Sequence, residues 1–152
     1  MIEVLIQLIG AFTAIAALSV IVSVPKKYLW LTGLIGAWGW GIFLASQYLW
    51  ESMYLSNFIA ATAIALVAQI SARIFKLPAT TFTIPGMMTL VPGSGMYNTV
   101  YYLILGDAAL SQKYVIETLL NASSIAIGIF LMGTLFTYAI SRRKKNEYDD
   151  VI

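Results

Sequence analysis

Two Pro-Gly pairs lie seven residues apart near the middle of the chain, at Pro85-Gly86 and Pro92-Gly93. Proline lacks the amide hydrogen and clashes with the preceding turn of a helix, while glycine tolerates positive φ. A straight helix therefore cannot continue undisturbed through both pairs, and the interruption leaves amide and carbonyl groups without partners. In an apolar stretch, such groups persist only where they are buried in protein or line a polar cavity. The pattern predicts a binding site.

A helix that begins just after Pro92-Gly93, near the bilayer midplane, would suit a carboxylate. Its first amide groups and the positive end of its dipole attract anions, and nearby hydroxyl and amide side chains would add hydrogen bonds. Asn121 and Ser124 are included because the last helix could lie beside the broken one. The candidate substrate-binding residues are Thr83, Pro85, Gly86, Thr89, Pro92, Gly93, Ser94, Gly95, Tyr97, Asn98, Asn121 and Ser124. The alternative is that the pairs only kink a packed helix.

Side chains for covalent or metal chemistry are scarce. The chain has no cysteine and no histidine, which removes disulfides and the usual zinc ligand sets. It contains no HExxH motif, no P-loop and no pair of carboxylates at one depth, so we expect no enzyme activity, metal or cofactor. Asp and Glu are also missing from the middle of the apolar runs. A carboxylate for proton coupling would have to come from elsewhere.

The composition is that of a membrane protein, with 60% hydrophobic and 11% charged residues among 152. A helix needs about 20 apolar residues to cross a bilayer. We predict an all-α integral membrane protein with five transmembrane helices, the fourth broken by the two Pro-Gly pairs. The predicted spans are residues 2–24, 28–49, 53–76, 79–105 and 115–140. They form a single transmembrane domain, residues 1–141, followed by a charged tail, residues 142–152, without regular structure beyond residue 145.

Most basic residues fall on one side of the membrane if five spans alternate in direction. The residues on that side are Lys26, Lys27, Arg73, Lys76, Arg142, Arg143, Lys144 and Lys145. Only Lys113 falls on the other side, so the positive-inside rule predicts the N-terminus outside and the C-terminal tail in the cytoplasm. If residues 79–105 entered and left on the same side, the last four basic residues would lie outside. No continuous basic stripe forms, so we expect no nucleic-acid partner.

Small residues recur at helical spacing in the second and third spans. The two stripes are Gly33, Ala37, Gly41 and Ala45, and Ala61, Ala65, Ala68 and Ala72. Small side chains let helices approach closely. The stripes predict either contacts between the chain's own helices or a surface for a second subunit, which includes a homo-oligomer.

Around the two Pro-Gly pairs, the sequence resembles the threonine/serine exporter family, in particular the small subunit of its split, two-gene form. The similarity extends over nearly the whole chain. The segments that carry it are Val24-Pro25-Lys26-Lys27, the glycine-rich second span, Arg73, Thr83-Ile84-Pro85, Val91 to Tyr97, and Asn121-Ala122-Ser123-Ser124. The resemblance implies one half of a ten-span secondary transporter in a bacterial inner membrane, completed by a larger membrane subunit.

The resemblance also implies the substrate, either threonine and serine or, as for some split pairs, a dicarboxylate such as succinate. Both classes carry a carboxylate, so a helix N-terminus does not distinguish them. An odd number of spans would pair naturally with a partner half of opposite orientation. A membrane scaffold that stabilises a larger partner without transporting is a further alternative. A channel formed by this chain alone is the least expected, because rings of charged pore residues are missing.

Overall fold

The computed structural model describes residues 2–149, with side chains as far as residue 139 and at Arg142. All regular structure in this part of the chain is helical. The α-helices are α1 (Ile2–Ile21), α2 (Leu29–Trp50), α3 (Met53–Phe75), α4 (Thr80–Met87), α5 (Gly93–Ile104) and α6 (Ala108–Asp149). Four segments are long and apolar enough to cross a membrane, namely Ile2–Ile21, Lys26–Trp50, Met53–Phe75 and Ala108–Ala139. The predicted all-α fold is confirmed.

Helices α1, α2 and α3 pack side by side and alternate in direction. The hydroxyl of Ser19 donates a 2.7 Å hydrogen bond to Thr32 Oγ1, and the indole Nε1 of Trp40 donates a 3.1 Å bond to Gln7 Oε1. The end of α1 therefore lies beside the start of α2, and the start of α1 lies near the end of α2. A 3-10 turn at Lys26–Tyr28 joins α1 to α2, and only residues 51 and 52 separate α2 from α3. Such short connections require antiparallel neighbours.

Helix α6 runs in the same direction as α3. Asn57, near the start of α3, donates a 2.9 Å hydrogen bond to Asn121. Farther along both helices, the guanidinium of Arg73 lies 5.1 Å from the ring centroid of Phe136. Because the chain leaves α3 at one end and enters α6 at the other, the segment between them has to travel the length of the bundle.

Helices α4 and α5 make this passage in two pieces. Phe82 of α4 packs against Phe75 at the end of α3, with 6.2 Å between the ring centroids. Helix α5 runs antiparallel to α6, because Ser111 Oγ donates a 2.9 Å bond to the carbonyl of Thr99 and the ring of Tyr102 stacks 5.4 Å from that of Tyr114. Residues 80–104 therefore lead from the end of α3 towards the end at which α3 begins.

The backbone interruption falls between Met87 and Gly93. The chain turns at residues 88–90, where the amide of Leu90 donates to the carbonyl of Met87 at 2.9 Å. Pro92 then takes φ −76° and ψ 61° and acts as the N-cap of α5. The predicted break is therefore present, but its two Pro-Gly pairs differ in role. The first pair lies inside the last turn of α4, and the second pair starts α5.

The two ends of the break lie at different levels of the bundle. A Cβ atom added to Gly86 would lie 3.0 Å from Ile64, which is central in α3. Gly95, in contrast, lies against Thr118 on α6. Thr118 precedes Asn121 by about 5 Å of helix rise, towards the start of α3. The interruption therefore extends from beside the middle of α3 to about the level of its first turn.

The buried core is built around the small residues of α3. Ala60, Ala61 and Ala68 have no exposed surface, and Ala65 and Ala72 are also buried. The alanine stripe of the third span therefore packs inside the chain's own bundle. The stripe of the second span is shared between two environments. Gly33 is buried against Phe12 of α1, whereas Ala45 is exposed.

Helix α6 is longer at both ends than the sequence predicted. Gly106 ends the preceding segment with φ +80°, and the Asp107 carboxylate accepts a 3.0 Å bond from the amide of Leu110. This N-cap starts the helix at Ala108, so residues 108–114 are helical and do not form a loop. At the other end, α6 continues through the charged tail to Asp149, past the expected limit of residue 145. Residues 150–152 of the predicted tail lie outside the described part of the chain.

Candidate functional site

In the first turn of α5, two backbone amides donate no hydrogen bond to any other group in the described part of the chain. The amide of Met96 donates to the carbonyl of Pro92 at 3.2 Å, and the amide of Gly93 turns back to the carbonyl of Val91 at 2.7 Å. Within the part of the chain that the structure describes, the amides of Ser94 and Gly95, which lie between them, have no backbone or side-chain acceptor. These are the free donors expected at a helix N-terminus. Ser94 is exposed, and no atom lies within 4 Å of a Cβ built on Gly93.

A polar face of α5 continues from these amides. Ser94, Tyr97, Asn98 and Tyr101 follow the i, i+3, i+4, i+7 spacing of one helix face. Tyr97 is 67% exposed, and its ring stacks on that of Tyr101 with 5.9 Å between centroids. No residue of α5 is buried. Tyr101 was missing from the sequence-based candidates, although its distance of seven residues from Ser94 could have identified it.

Three of the predicted site residues pack inside α4 and lie away from the open amides. Pro85 and Gly86 are buried, and a Cβ on Gly86 would lie 3.0 Å from both Ile35 and Ile64. The hydroxyl of Thr83 donates a 3.0 Å bond to the carbonyl of Ala79. The first Pro-Gly pair therefore permits close helix packing, which is the role that the kinked-helix alternative gives it.

The two predicted residues on α6 also make other contacts. Asn121 is buried and accepts the bond from Asn57, and its own amide lies 3.7 Å from the sulfur of Met53. It thus faces α3. The hydroxyl of Ser124 donates to the carbonyl of Leu120 at 2.9 Å. Neither side chain is brought to the exposed amides of α5.

Thr118 of α6 lies against Gly95 in the first turn of α5. A Cβ on Gly95 would collide with Thr118 Oγ1. That oxygen is buried and has no hydrogen-bond partner. Sequence reasoning could identify Thr118 only by its position three residues before Asn121, because its contact with α5 depends on how the two helices pack.

Two cavities flank the break. One, of about 540 Å³, lies against α6 and is lined by apolar side chains. Pro92 and Met96 contribute to it, so the first turn of α5 forms part of its wall. The other, of about 400 Å³, lies towards α1 and α2 and includes the polar side chains of Gln7, Trp40 and Thr89. The Thr89 hydroxyl donates back to the carbonyl of Gly86 at 3.1 Å.

This arrangement can recognise an anion by hydrogen bonding. The unpaired amides and the dipole of α5 favour negative charge, and the neighbouring cavity accepts apolar atoms. Pro92, Gly93, Ser94, Gly95, Tyr97 and Asn98 are brought together at this helix start, and Thr89 lies at the edge of the second cavity. Within the described part of the chain, no cluster of three or more His, Cys, Asp or Glu side chains could hold a metal ion.

Comparison with known proteins identifies the family. Residues 7–135 match the family model described as threonine/serine exporter, ThrE. No curated protein and no solved structure matches the chain significantly. The family match includes most of α1, all of α2 to α5 and most of α6, and with them every candidate site residue. The chain therefore belongs to the threonine/serine exporter family.

Proposed function

We propose that this chain is a subunit of a secondary-active exporter of small carboxylate-bearing metabolites, with threonine and serine as its main substrates. Membership of the exporter family supports a transport role. The observation that carries the site assignment is the pair of free amides at Ser94 and Gly95. They lie where a helix restarts within a membrane bundle, a feature that secondary transporters use to bind substrate carboxylates.

A larger membrane subunit of the same family completes the site in this proposal. Helix α5 packs mainly against α6, and its polar face carries exposed side chains at Ser94 and Tyr97. An exposed polar face of this kind is costly next to lipid. A partner that covers it would shield the amides from water and supply the groups that this chain lacks, including a carboxylate for coupling to protons.

The proposed topology has five crossings, with residues 80–104 forming the fourth in two pieces. Supporting this, α6 runs parallel to α3, so the chain between them changes sides. The basic residues Lys26 and Lys76 lie at the end of the bundle that the positive-inside rule assigns to the cytoplasm. The exposed start of α5 then lies nearer the outer face of a bacterial inner membrane, where an exporter releases its substrate.

Efflux measurements test this function. Cells are loaded with threonine, serine or succinate and express this chain with the larger subunit, each chain alone, or neither. We expect efflux of threonine and serine only from cells that contain both chains. Succinate efflux without amino-acid efflux would move the assignment to dicarboxylates, and equal efflux without this chain would contradict a transport role.

The break is tested in the same assay with Pro92→Ala and Gly93→Ala. Both changes extend helical propensity across the interruption, so each should reduce efflux strongly while the amount of protein in the membrane is unchanged. Pro78→Ala, at an exposed position before α4, is the matched control and should leave efflux intact. Full efflux in both break variants would refute the site assignment.

A further inference from the structure

A groove between α3 and α6 lies at the basic end of the bundle, away from the proposed substrate site. Its volume is about 650 Å³. It is lined by Gln69 of α3 and, on α6, by Ile129, Phe130, Gly133, Thr134, Thr137 and Tyr138. Ile129 and Phe130 lie farther from the basic end of α6 than Thr134, Thr137 and Tyr138. The groove thus contains apolar side chains towards the membrane interior and polar side chains towards the surface.

Two arginines lie one helical turn beyond the residues that line the groove, one on α3 and one on α6. Arg73 follows Gln69 by one helical turn, and its guanidinium lies 5.1 Å from the Phe136 ring centroid. Arg142 is exposed and follows Tyr138 of the groove by four residues, which places it on the same face of α6. Among the side chains that the structure describes, no carboxylate lies within ion-pair distance of either arginine. The positive charge at this end is therefore available to a ligand.

The groove also connects with the apolar cavity beside the break. Ile129 and Phe130 line both. From Tyr138 to Ala122, one face of α6 follows this path, a length of about 24 Å at 1.5 Å per residue. The two guanidinium groups lie beyond its basic end; along it, hydroxyl and amide side chains are followed by apolar side chains, and it ends at Pro92 and Val91. A zwitterionic amino acid would match only the polar end of this path, because the rest is lined by apolar side chains.

We propose that this groove binds an anionic phospholipid of the surrounding bilayer. Its phosphate lies at Arg73 and Arg142, its ester groups lie among Gln69, Thr134 and Tyr138, and one acyl chain runs along Ile129 and Phe130 towards the break. Basic pockets between transmembrane helices are a known form of lipid site. The graded polarity of the groove matches one lipid molecule from headgroup to chain, and the arginines select an anionic headgroup.

Native mass spectrometry of the full chain in a neutral detergent tests the proposal. Phosphatidylglycerol and phosphatidylcholine with identical acyl chains are titrated separately. We expect phosphatidylglycerol to bind more tightly, and Arg73→Gln to weaken its binding about fivefold, the effect of roughly 1 kcal/mol for one basic residue. Lys26→Gln removes an exposed charge at the same end but outside the groove and should have no such effect.

A second variant tests the acyl-chain path. Gly133→Leu adds a bulky side chain to the lining of the groove, and a Cβ at this position makes only ordinary van der Waals contact, with Gln69 Nε2 at 3.8 Å as the nearest atom. It should weaken binding of both lipids while thermal unfolding is unchanged. Equal binding of phosphatidylglycerol to the wild type, Arg73→Gln and Gly133→Leu would overturn the proposal. Competition by glycerol 3-phosphate at the same concentration as the lipid would also overturn it, because a free phosphate would then be the ligand.

Discussion

At the scale of single residues, a pair of buried amides joins α3 to α6. Asn57 and Asn121 are 2% and 5% exposed, and their side chains share a 2.9 Å hydrogen bond. Removing one partner leaves the other buried without it. The sequence singled out Asn121 as a candidate for substrate binding, but it could not show that its partner is 64 residues away on α3.

A double-mutant cycle measures this pair. We expect Asn57→Ala and Asn121→Ala each to destabilise the protein in detergent, with a coupling of about 0.6 kcal/mol and at most about 1.7 kcal/mol, the range for hydrogen bonds between membrane helices. Thermal unfolding of the two single variants and the double variant gives the coupling. If the two effects add without coupling, the pair does not join the helices.

At the scale of helices, the contact of α5 with α6 positions the exposed amides. Gly95 lies so close to Thr118 that an added Cβ would collide with Thr118 Oγ1 unless one of them moved. Sequence reasoning predicted an interruption at this segment, because proline and glycine change local backbone geometry whatever surrounds them. It could not separate the packing role of Gly86 from the helix-starting role of Gly93, since that difference depends on which helix lies opposite.

The fit between α5 and α6 predicts a specific suppressor. Gly95→Ala should destabilise the protein by about 1–3 kcal/mol, the usual cost of overpacking, because its methyl group meets Thr118 Oγ1. Adding Thr118→Ala removes that oxygen and should restore most of the lost stability. Gly93→Ala is the control, since no atom lies within 4 Å of its Cβ, and its unfolding temperature should stay near the wild-type value. A Gly95→Ala variant as stable as this control would contradict the close contact.

At the scale of the whole molecule, the directions of the helices determine where the charges lie. Lys26 and Lys76 follow α1 and α3, whereas Glu51 follows α2 at the opposite end. The sequence was sufficient for the helical class and for most helix boundaries, because long apolar runs and short polar connections identify both. The extension of α6 to Ala108 was missed, because the apolar pattern alone did not reveal that Asp107 caps a helix.

Cysteine labelling tests the five-crossing topology. The chain contains no cysteine, so single cysteines can be introduced without a background signal. At Glu51 and Lys113, we expect labelling of intact cells by a membrane-impermeant maleimide. Cysteines at Lys26 and Lys76 should react only after the membrane is permeabilised. If the cysteines at positions 113 and 76 were labelled from the same side, residues 80–104 would not cross the membrane.

The most direct test of carboxylate recognition by α5 compares Ser94→Pro with Ser94→Ala in vesicles that contain both subunits. Proline is tolerated in the first turn of a helix, so Ser94→Pro removes the free amide as well as the hydroxyl, whereas Ser94→Ala removes the hydroxyl alone. A hydrogen bond to a charged group contributes about 1.5–3 kcal/mol, so threonine efflux should fall at least about tenfold in Ser94→Pro and much less in Ser94→Ala. Equal efflux from the two variants would contradict the proposed site.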